Sequence, residues 1–388
     1  QPDARAWHRC GNAEFRRDKP GLLPQILNAL LTNRKKAKQR MRLAKNDTEY
    51  DVLNGQQLAL KLCANSLYGF TGTSMEVGML PCPAIASSVT YMGRKLTNAT
   101  KSMCEKHFKV DGVYGDTDSV FFHHEGVQGV EEASREAERI ADFMNDRLPS
   151  PIKLEFEKVY KPYLLLAKKR YVGNKFDEGK GPPKIDAKGL EMVRRDNFPL
   201  LPRVMRATVH KLMDTDVQGA LAVVSNAITN LRTCTQVEQD MLVISKELTK
   251  PADQYSAKPA HVMVASRIPH KIHERVKYLV VRGHGNVGDR ARHPTEMHNC
   301  EIDFPWYVDQ IQRPMRRLLH LCCTKQELEH CMNAGADREV IATINDCPIA
   351  QQLGASFDHN MVWKKRASQT EHRHAKKSRQ MSLHAFLN

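Results

Sequence analysis

The stretch Val113-Tyr114-Gly115-Asp116-Thr117-Asp118-Ser119-Val120-Phe121 sets two carboxylates one residue apart between apolar flanks. Apolar residues on both sides of a tight Gly-Asp-Thr-Asp tip predict a β-hairpin over Val110 to Phe122. Folding gains nothing from two like charges held together, since each raises the cost of ionising the other. A solvated turn would tolerate a bare D-x-D, but hydrophobic strands on either side argue for a ligand at the tip. A divalent cation resolves the repulsion. Hard cations such as Mg²⁺ take carboxylate oxygens, and in phosphoryl transfer they neutralise a triphosphate and lower the pKa of an attacking hydroxyl.

On the N-terminal side, Leu23, Ile26, Leu27, Leu30 and Leu31 fall at helical intervals within Gly21 to Leu43. The polar run Lys45-Asn46-Asp47-Thr48-Glu49 then allows a reversal. A second helix is predicted from about Tyr50 through Leu58, Leu60 and Leu62 towards Asn65, so the two form an antiparallel hairpin. Pro81 and Pro83 open a third helix that runs to about His107. On the C-terminal side, Glu131 to Leu148 reads as helix, and Lys153 to Tyr160 and Tyr163 to Val172 read as strands. This order predicts the α+β class, with helices on one face of an antiparallel sheet. From about Leu201 the chain turns mainly helical, interrupted by a strand-like Val276 to Val281, and from Lys364 it becomes a basic tail.

Composition narrows the partners. With 59 Lys and Arg against 44 Asp and Glu, the 388 residues carry a formal charge of +15. A hydrophobic share of 41% supports a folded core, and a strong positive excess on a folded chain points to a polyanion, most simply nucleic acid. No run of about 18 uncharged apolar residues occurs, so no membrane span is expected. The opening residues lack the apolar stretch of a signal peptide, so secretion is not expected either. The ten cysteines include no C-x-x-C pair, which predicts reduced thiols, and the cluster His320, Cys322, Cys323, His330 and Cys331 lacks the paired hooks of a zinc site.

Two glycine motifs are set aside. Gly283-His284-Gly285-Asn286-Val287-Gly288 fits G-x-G-x-x-G, yet Asp289-Arg290-Ala291-Arg292-His293-Pro294 cannot open the helix that a dinucleotide site requires. Gly173 to Lys180 has neither the spacing nor the following Ser or Thr of a phosphate loop.

A second chemical signal lies on the predicted helical hairpin. Lys61, Asn65 and Tyr68 share one helical face, and Arg34 and Lys38 lie four apart on the facing helix. Cations on two facing helices could clamp a triphosphate while the tyrosine ring lies near the sugar or base. Solvated charged faces would explain any one of these lysines taken alone.

Together these blocks carry a resemblance. Leu60-Lys61-Leu62-Cys63-Ala64-Asn65-Ser66-Leu67-Tyr68-Gly69-Phe70 and Tyr114-Gly115-Asp116-Thr117-Asp118-Ser119 resemble the fingers motif and the catalytic-aspartate motif of family B DNA polymerases. Lys168-Lys169-Arg170-Tyr171 is similar to that family's primer-template grip, and Lys188-Gly189-Leu190-Glu191 with Arg194-Arg195-Asp196 to the block after it. The run from Leu154 to Tyr160 and the Arg-Arg-Asp-Asn-Phe-Pro-Leu segment resemble the delta branch. The resemblance covers about Gly21 to Leu319 and implies a right-hand architecture. Residues 1–19 would be a remnant of the palm connection, 20–72 helical-hairpin fingers, 73–200 an antiparallel-sheet palm, 201–363 a mainly helical thumb and 364–388 a basic tail.

The resemblance also implies roles. Asp118 would be a metal ligand and Asp116 a carboxylate near two Mg²⁺ ions, with Glu157 as an auxiliary carboxylate. Arg34, Lys38, Lys61 and Asn65 would hold the incoming dNTP, and Tyr68 would line the nascent base pair. Lys168, Lys169, Arg170 and Tyr171 would grip primer-template DNA, with Lys188 and Arg194 on backbone phosphates. The expected function is template-directed DNA synthesis in the nucleus, or at a viral replication site.

The departures shape a competing expectation. No D-x-x-S-L-Y-P-S motif, the family's other aspartate block, occurs here, and the cysteine pairs of a delta-type C-terminus are missing. A chain that begins almost at the fingers would lack half the metal site and the exonuclease domain. The alternative reading is therefore a non-catalytic, polymerase-derived nucleic-acid-binding module. In the tail, Gln380, Leu383, Phe386 and Leu387 resemble the spacing of a sliding-clamp-binding peptide, against the plainer reading of a disordered basic end.

Overall fold

A computed structural model describes residues 7–16, 18–177, 179–234 and 237–336. Residue contacts divide these into two units: one holds residues up to Val127 together with Arg139–Leu154, the other Gln128–Glu138 and the described residues from Glu155 onward. Among the described residues no helix is long and apolar enough to cross a membrane.

In the first unit, β1 (Trp7–Cys10) and β2 (Ala13–Arg16) pair as a hairpin. Ser88 Oγ donates to the Cys10 carbonyl at 3.2 Å and so ties that hairpin to α3 (Pro83–His107). The helices α1 (Leu22–Arg42) and α2 (Asp47–Thr71) form the expected helical hairpin. The second starts three residues before the predicted Tyr50. Asn46 caps it, accepting from the Glu49 N–H at 2.8 Å, while Glu49 Oε2 accepts from the Lys45 N–H at 3.1 Å. It also runs one and a half turns past Asn65, to where the Gly72 N–H closes on the Tyr68 carbonyl. The α3 helix opens on Pro83, a residue whose fixed φ suits a first turn.

The expected hairpin over Val110 to Phe122 is β3 (Val110–Asp116) against β4 (Ser119–His124), with a bulge between Gly112 and Tyr114. Asp116 is the last strand residue, so the tip is the pair Thr117-Asp118 rather than four residues. A small core of Cys104, Val110, Ile140 and Met144 anchors it, flanked by Phe108, Phe122 and Phe143. Ile140 and Met144 belong to α4 (Val130–Asn145).

The strands that follow differ from the expected boundaries. The segment read as a strand from Lys153 pairs with nothing before Lys158, because the Leu154 N–H and carbonyl are both bonded to the Asn145 side chain. One strand, β5 (Lys158–Ala167), then crosses the predicted break, and the chain turns at Lys168-Lys169 with Lys169 at φ 60°. It returns as β6 (Arg170–Asp177) and again as the unforeseen β7 (Lys180–Lys188), whose Pro182 and Pro183 hide it from strand propensity. The order is β5-β6-β7, a sheet separate from the β3-β4 hairpin rather than one continuous layer.

Mainly helical structure follows, as expected: α5 (Leu200–Met213), α6 (Val217–Thr233), α7 (Ala260–Ala265), α8 (Phe304–Leu319) and α9 (Lys325–Met332). The strand-like segment near Val276 is β9 (Arg275–Val280), the centre of a three-stranded sheet with β8 (Ile244–Glu247) and β10 (Ala291–Arg292). The glycine loop after β9 leads into β10 and opens no helix. Buried Phe198, Met205, Ile228, Leu279, Tyr307, Ile311 and Met315 lie in one core. Tyr307 satisfies its hydroxyl there by accepting from the Val280 N–H at 3.0 Å, and its ring meets Phe198 edge-on at 5.0 Å.

Core burial sets the first expected outcome. Phe198 is 2% exposed and Met79 is 90% exposed. Phe198→Ala should cost about 3–5 kcal/mol of unfolding free energy, and Met79→Ala less than about 0.5 kcal/mol. Urea unfolding of the two variants measures both.

Candidate active site and nucleic-acid interface

The carboxylate tip is built by the β3-β4 hairpin alone. The Asp118 N–H donates to the Asp116 carbonyl at 2.7 Å across Thr117, which sits at φ 60°. A hydrogen bond from residue i+2 back to residue i over a positive φ is a γ-turn of the rare, strained hand. A β-branched residue is badly suited to it, and such a conformation costs on the order of 1–3 kcal/mol. Thr117 Oγ1 donates to Asp116 Oδ1 at 3.1 Å, and Ser119 Oγ donates to the Asp116 carbonyl at 3.1 Å. Asp116 is thereby half-buried and oriented, while Asp118 is exposed and its carboxylate bonds to no described residue.

The floor under the tip is braced by groups the sequence did not single out. Glu105 on α3 accepts from the Gly112 N–H at 3.0 Å and pairs with Lys101 at 3.6 Å. A Cβ on Gly112 would stand 2.6 Å from the Lys101 side chain, so the glycine lets α3 lie close to β3. Among the described residues no three His, Cys, Asp or Glu side chains are grouped to hold a metal ion. Two carboxylates nevertheless suit Mg²⁺, which keeps several waters and takes further oxygens from substrate phosphates. Asp116 and Asp118 fit that donor set.

On the helical hairpin, Ala37 of α1 and Leu53 and Gln57 of α2 are buried. Arg34 Nε donates to Gln57 Oε1 at 3.4 Å, and Gln57 Nε2 donates to Asn54 Oδ1 at 3.0 Å. Gln57 lies one turn before Lys61, so it links Arg34 to the stripe of Lys61, Asn65 and Tyr68, all exposed. At 1.5 Å per residue, Lys38 and Lys61 each lie about 6 Å from that contact, in opposite directions along the hairpin. The predicted cations therefore form a line, not a cluster. Gln57 was legible only through its spacing of four from Lys61.

In the second unit the Lys168-Lys169 turn is exposed. Arg170 is engaged instead: its Nη2 donates to Glu191 Oε1 at 2.6 Å. Tyr171 is buried, its ring 5.4 Å from Tyr163 and 6.1 Å from Tyr160. Lys188 Nζ lies 3.2 Å from Asp186, which also accepts from the Tyr160 hydroxyl at 2.6 Å. Arg194 is held bidentately by Asp196 at 3.1 and 2.9 Å. Glu157 stands on the extended segment before β5, 3.6 Å from Lys158. Gln380, Leu383, Phe386 and Leu387 lie outside the described residues.

Asp186 is the charged centre of this sheet. Burial alone would raise its carboxyl, but the Tyr160 hydroxyl and the Lys188 and Lys158 ammonium groups outweigh it and hold the carboxyl below its ordinary range. Burial and Asp186 together push the Tyr160 hydroxyl far up.

The first unit thus carries an aspartate-tipped hairpin and a cation-bearing helical pair, and the second a lysine-rich turn in an antiparallel sheet. The sequence matches the profile of DNA polymerase family B over residues 7–322, and the chain belongs to that family. It is 41% identical over 319 residues to a DNA polymerase delta catalytic subunit of Glycine max, covering 77% of this chain and 29% of that one. It is 42% identical over 322 residues to the corresponding subunit of Caenorhabditis elegans, with the same two coverages. The chain thus spans less than a third of the length of these curated relatives. In fold it is similar to the family B DNA polymerase from the hyperthermophilic archaeon Pyrobaculum calidifontis, with a TM-score of 0.59 and 24% identity over 84% of this chain and 42% of that one.

The depressed Asp186 pKa makes stability pH-dependent. A carboxyl titrating lower in the folded than in the unfolded chain stabilises the fold above the unfolded value, about 3.9. That contribution is lost as pH falls through the folded value. Asp186→Asn should therefore lower stability at pH 6 and flatten the acid limb below about pH 4, as read by urea unfolding across pH.

Proposed function

We propose that this chain carries the fingers, most of the palm and the thumb of a delta-like replicative DNA polymerase that works on nuclear DNA. The reaction is attack of a primer 3′-hydroxyl on the α-phosphate of a dNTP, with pyrophosphate leaving. The observation that supports this most is the strained Thr117 turn, which holds Asp116 oriented and Asp118 open at the end of an anchored hairpin. The two-residue hairpin loop asks for a positive φ at this position, to which a β-branched residue is poorly suited, and such outliers collect at reacting centres.

Asp118 and Asp116 would hold Mg²⁺, which when bound supplies charge neutralisation on the triphosphate and a lowered pKa for the attacking hydroxyl. Arg34, Lys38, Lys61 and Asn65 bind the triphosphate along the line of the helical hairpin, and Tyr68, exposed on the last turns of α2, covers the nascent base pair. Their placement on one helical pair lets a single closing movement bring charge and ring to the substrate together, so that pair geometry controls incorporation. Lys168 and Lys169 contact backbone phosphates of primer-template DNA. Arg194 would reach phosphate by exchanging Asp196, which an exposed ion pair allows at little cost, and the exposed Lys188 ammonium would do so by turning away from the mostly buried Asp186. The tail residues Gln380, Leu383, Phe386 and Leu387 would add a sliding-clamp contact.

In a polymerase containing this chain, Asp118→Asn should reduce primer extension to background with DNA affinity kept within about twofold. Lys61→Ala should raise the apparent KM for dNTP while leaving DNA affinity intact. Gel-based extension and fluorescence anisotropy measure these effects, and near-normal extension by Asp118→Asn would falsify the metal-site reading. Truncation after Arg379 should remove clamp stimulation of extension; unchanged stimulation would remove the tail from the proposal.

A further inference from the structure

Arg170 belongs to the lysine-rich turn, yet its donors face inward. Nη2 donates to Glu191 Oε1 at 2.6 Å and Nε donates to the Gly189 carbonyl at 3.2 Å. The same Glu191 oxygen accepts from Arg317 Nη2, on α8, at 3.0 Å. The Glu191 side chain is only 13% exposed, and its Oε2 is buried without a hydrogen-bond partner. Above this junction the backbone is pinned as well. Gly189 has φ +65°, and a Cβ there would stand 2.3 Å from the Lys169 carbonyl oxygen.

Two guanidinium groups sharing one carboxylate oxygen repel each other, and the arrangement holds only while that carboxylate is charged and in place. Glu191 is therefore a group on which the Arg170 end of the turn and α8 both close. Arg170, with two donors committed and a side chain 28% exposed, braces the turn instead of reaching out from it.

We propose that Glu191 is a positioning residue for the DNA-gripping turn: by binding Arg170 and Arg317 through one oxygen, it couples the presentation of Lys168 and Lys169 to helix α8. This rests on the reading of the turn as a primer-template contact. It assigns Arg170 an internal role in place of the primer-template grip that the family resemblance implies.

Binding of primer-template DNA by the 388-residue chain as a function of salt tests it. Lys168→Ala should lower the slope of log affinity against log salt by about one. Glu191→Gln raises the net charge by one, so if Arg170 were a phosphate contact freed by the change, DNA binding would tighten. The proposal requires the opposite sign: a loss of about tenfold, with Arg317→Ala producing a similar loss that is not additive with Glu191→Gln. Tighter binding by Glu191→Gln, or additive losses, would overturn it. A chain that binds no primer-template at all would instead sink the DNA-grip reading. In that case the Glu191 junction is judged by a double-mutant cycle in urea unfolding: coupling of Arg170→Ala and Arg317→Ala to Glu191→Gln supports it, and additivity refutes it.

Discussion

Two carboxylates stand close together at the end of one hairpin, and neighbouring elements of the first unit hold that hairpin in place. The turn that presents them is strained at Thr117, and only neighbouring burial can hold it. Val110 and Phe122 bring the far ends of β3 and β4 into contact with Cys104, Ile140 and Met144, while Gly112 lets α3 approach and Glu105 take its N–H. Burying a side chain of this size contributes about 1.5–3 kcal/mol, the same order as the strain. Loss of one of these contacts would therefore be felt at the tip.

Much of this was legible in the sequence where periodicity and turn chemistry agreed. The α1 and α3 helices and the aspartate hairpin lie where the apolar spacing and Pro83 put them. The misplaced boundaries have local causes. The Asn46 cap sat inside a run read only as a polar break, and the Lys168-Lys169 turn contains no glycine or proline to betray it. The true start of β5 depends on Asn145, nine residues before the backbone it holds. The site divided in the same way. Residue types pointed to Asp116, Asp118 and the cations, whereas Glu105, Asp186 and Glu191 act through tertiary partners that no spacing rule contains.

The charges of the chain fall into two populations. Arg170, Lys188 and Arg194 are tied to acidic neighbours within the second unit. On α1, by contrast, Arg34 and Lys38, Lys36 and Arg40, and Lys38 and Arg42 are like-charged pairs four apart, each costing about 0.2–0.5 kcal/mol. Paired cations can be handed to an anion late, after their acidic partner is displaced. Unpaired ones attract it from a distance and weaken with salt.

The prolines of β7 have a consequence for the chain in solution. This strand is an edge of the β5-β6-β7 sheet, and an open edge is a template onto which another molecule can add a strand. Pro182 and Pro183 remove two N–H donors where the pairing with β6 slips between Lys175 and Asp177, and the exposed Lys184 follows directly. An incoming strand would meet a broken ladder and a charge along this part of the edge, which disfavours self-association there.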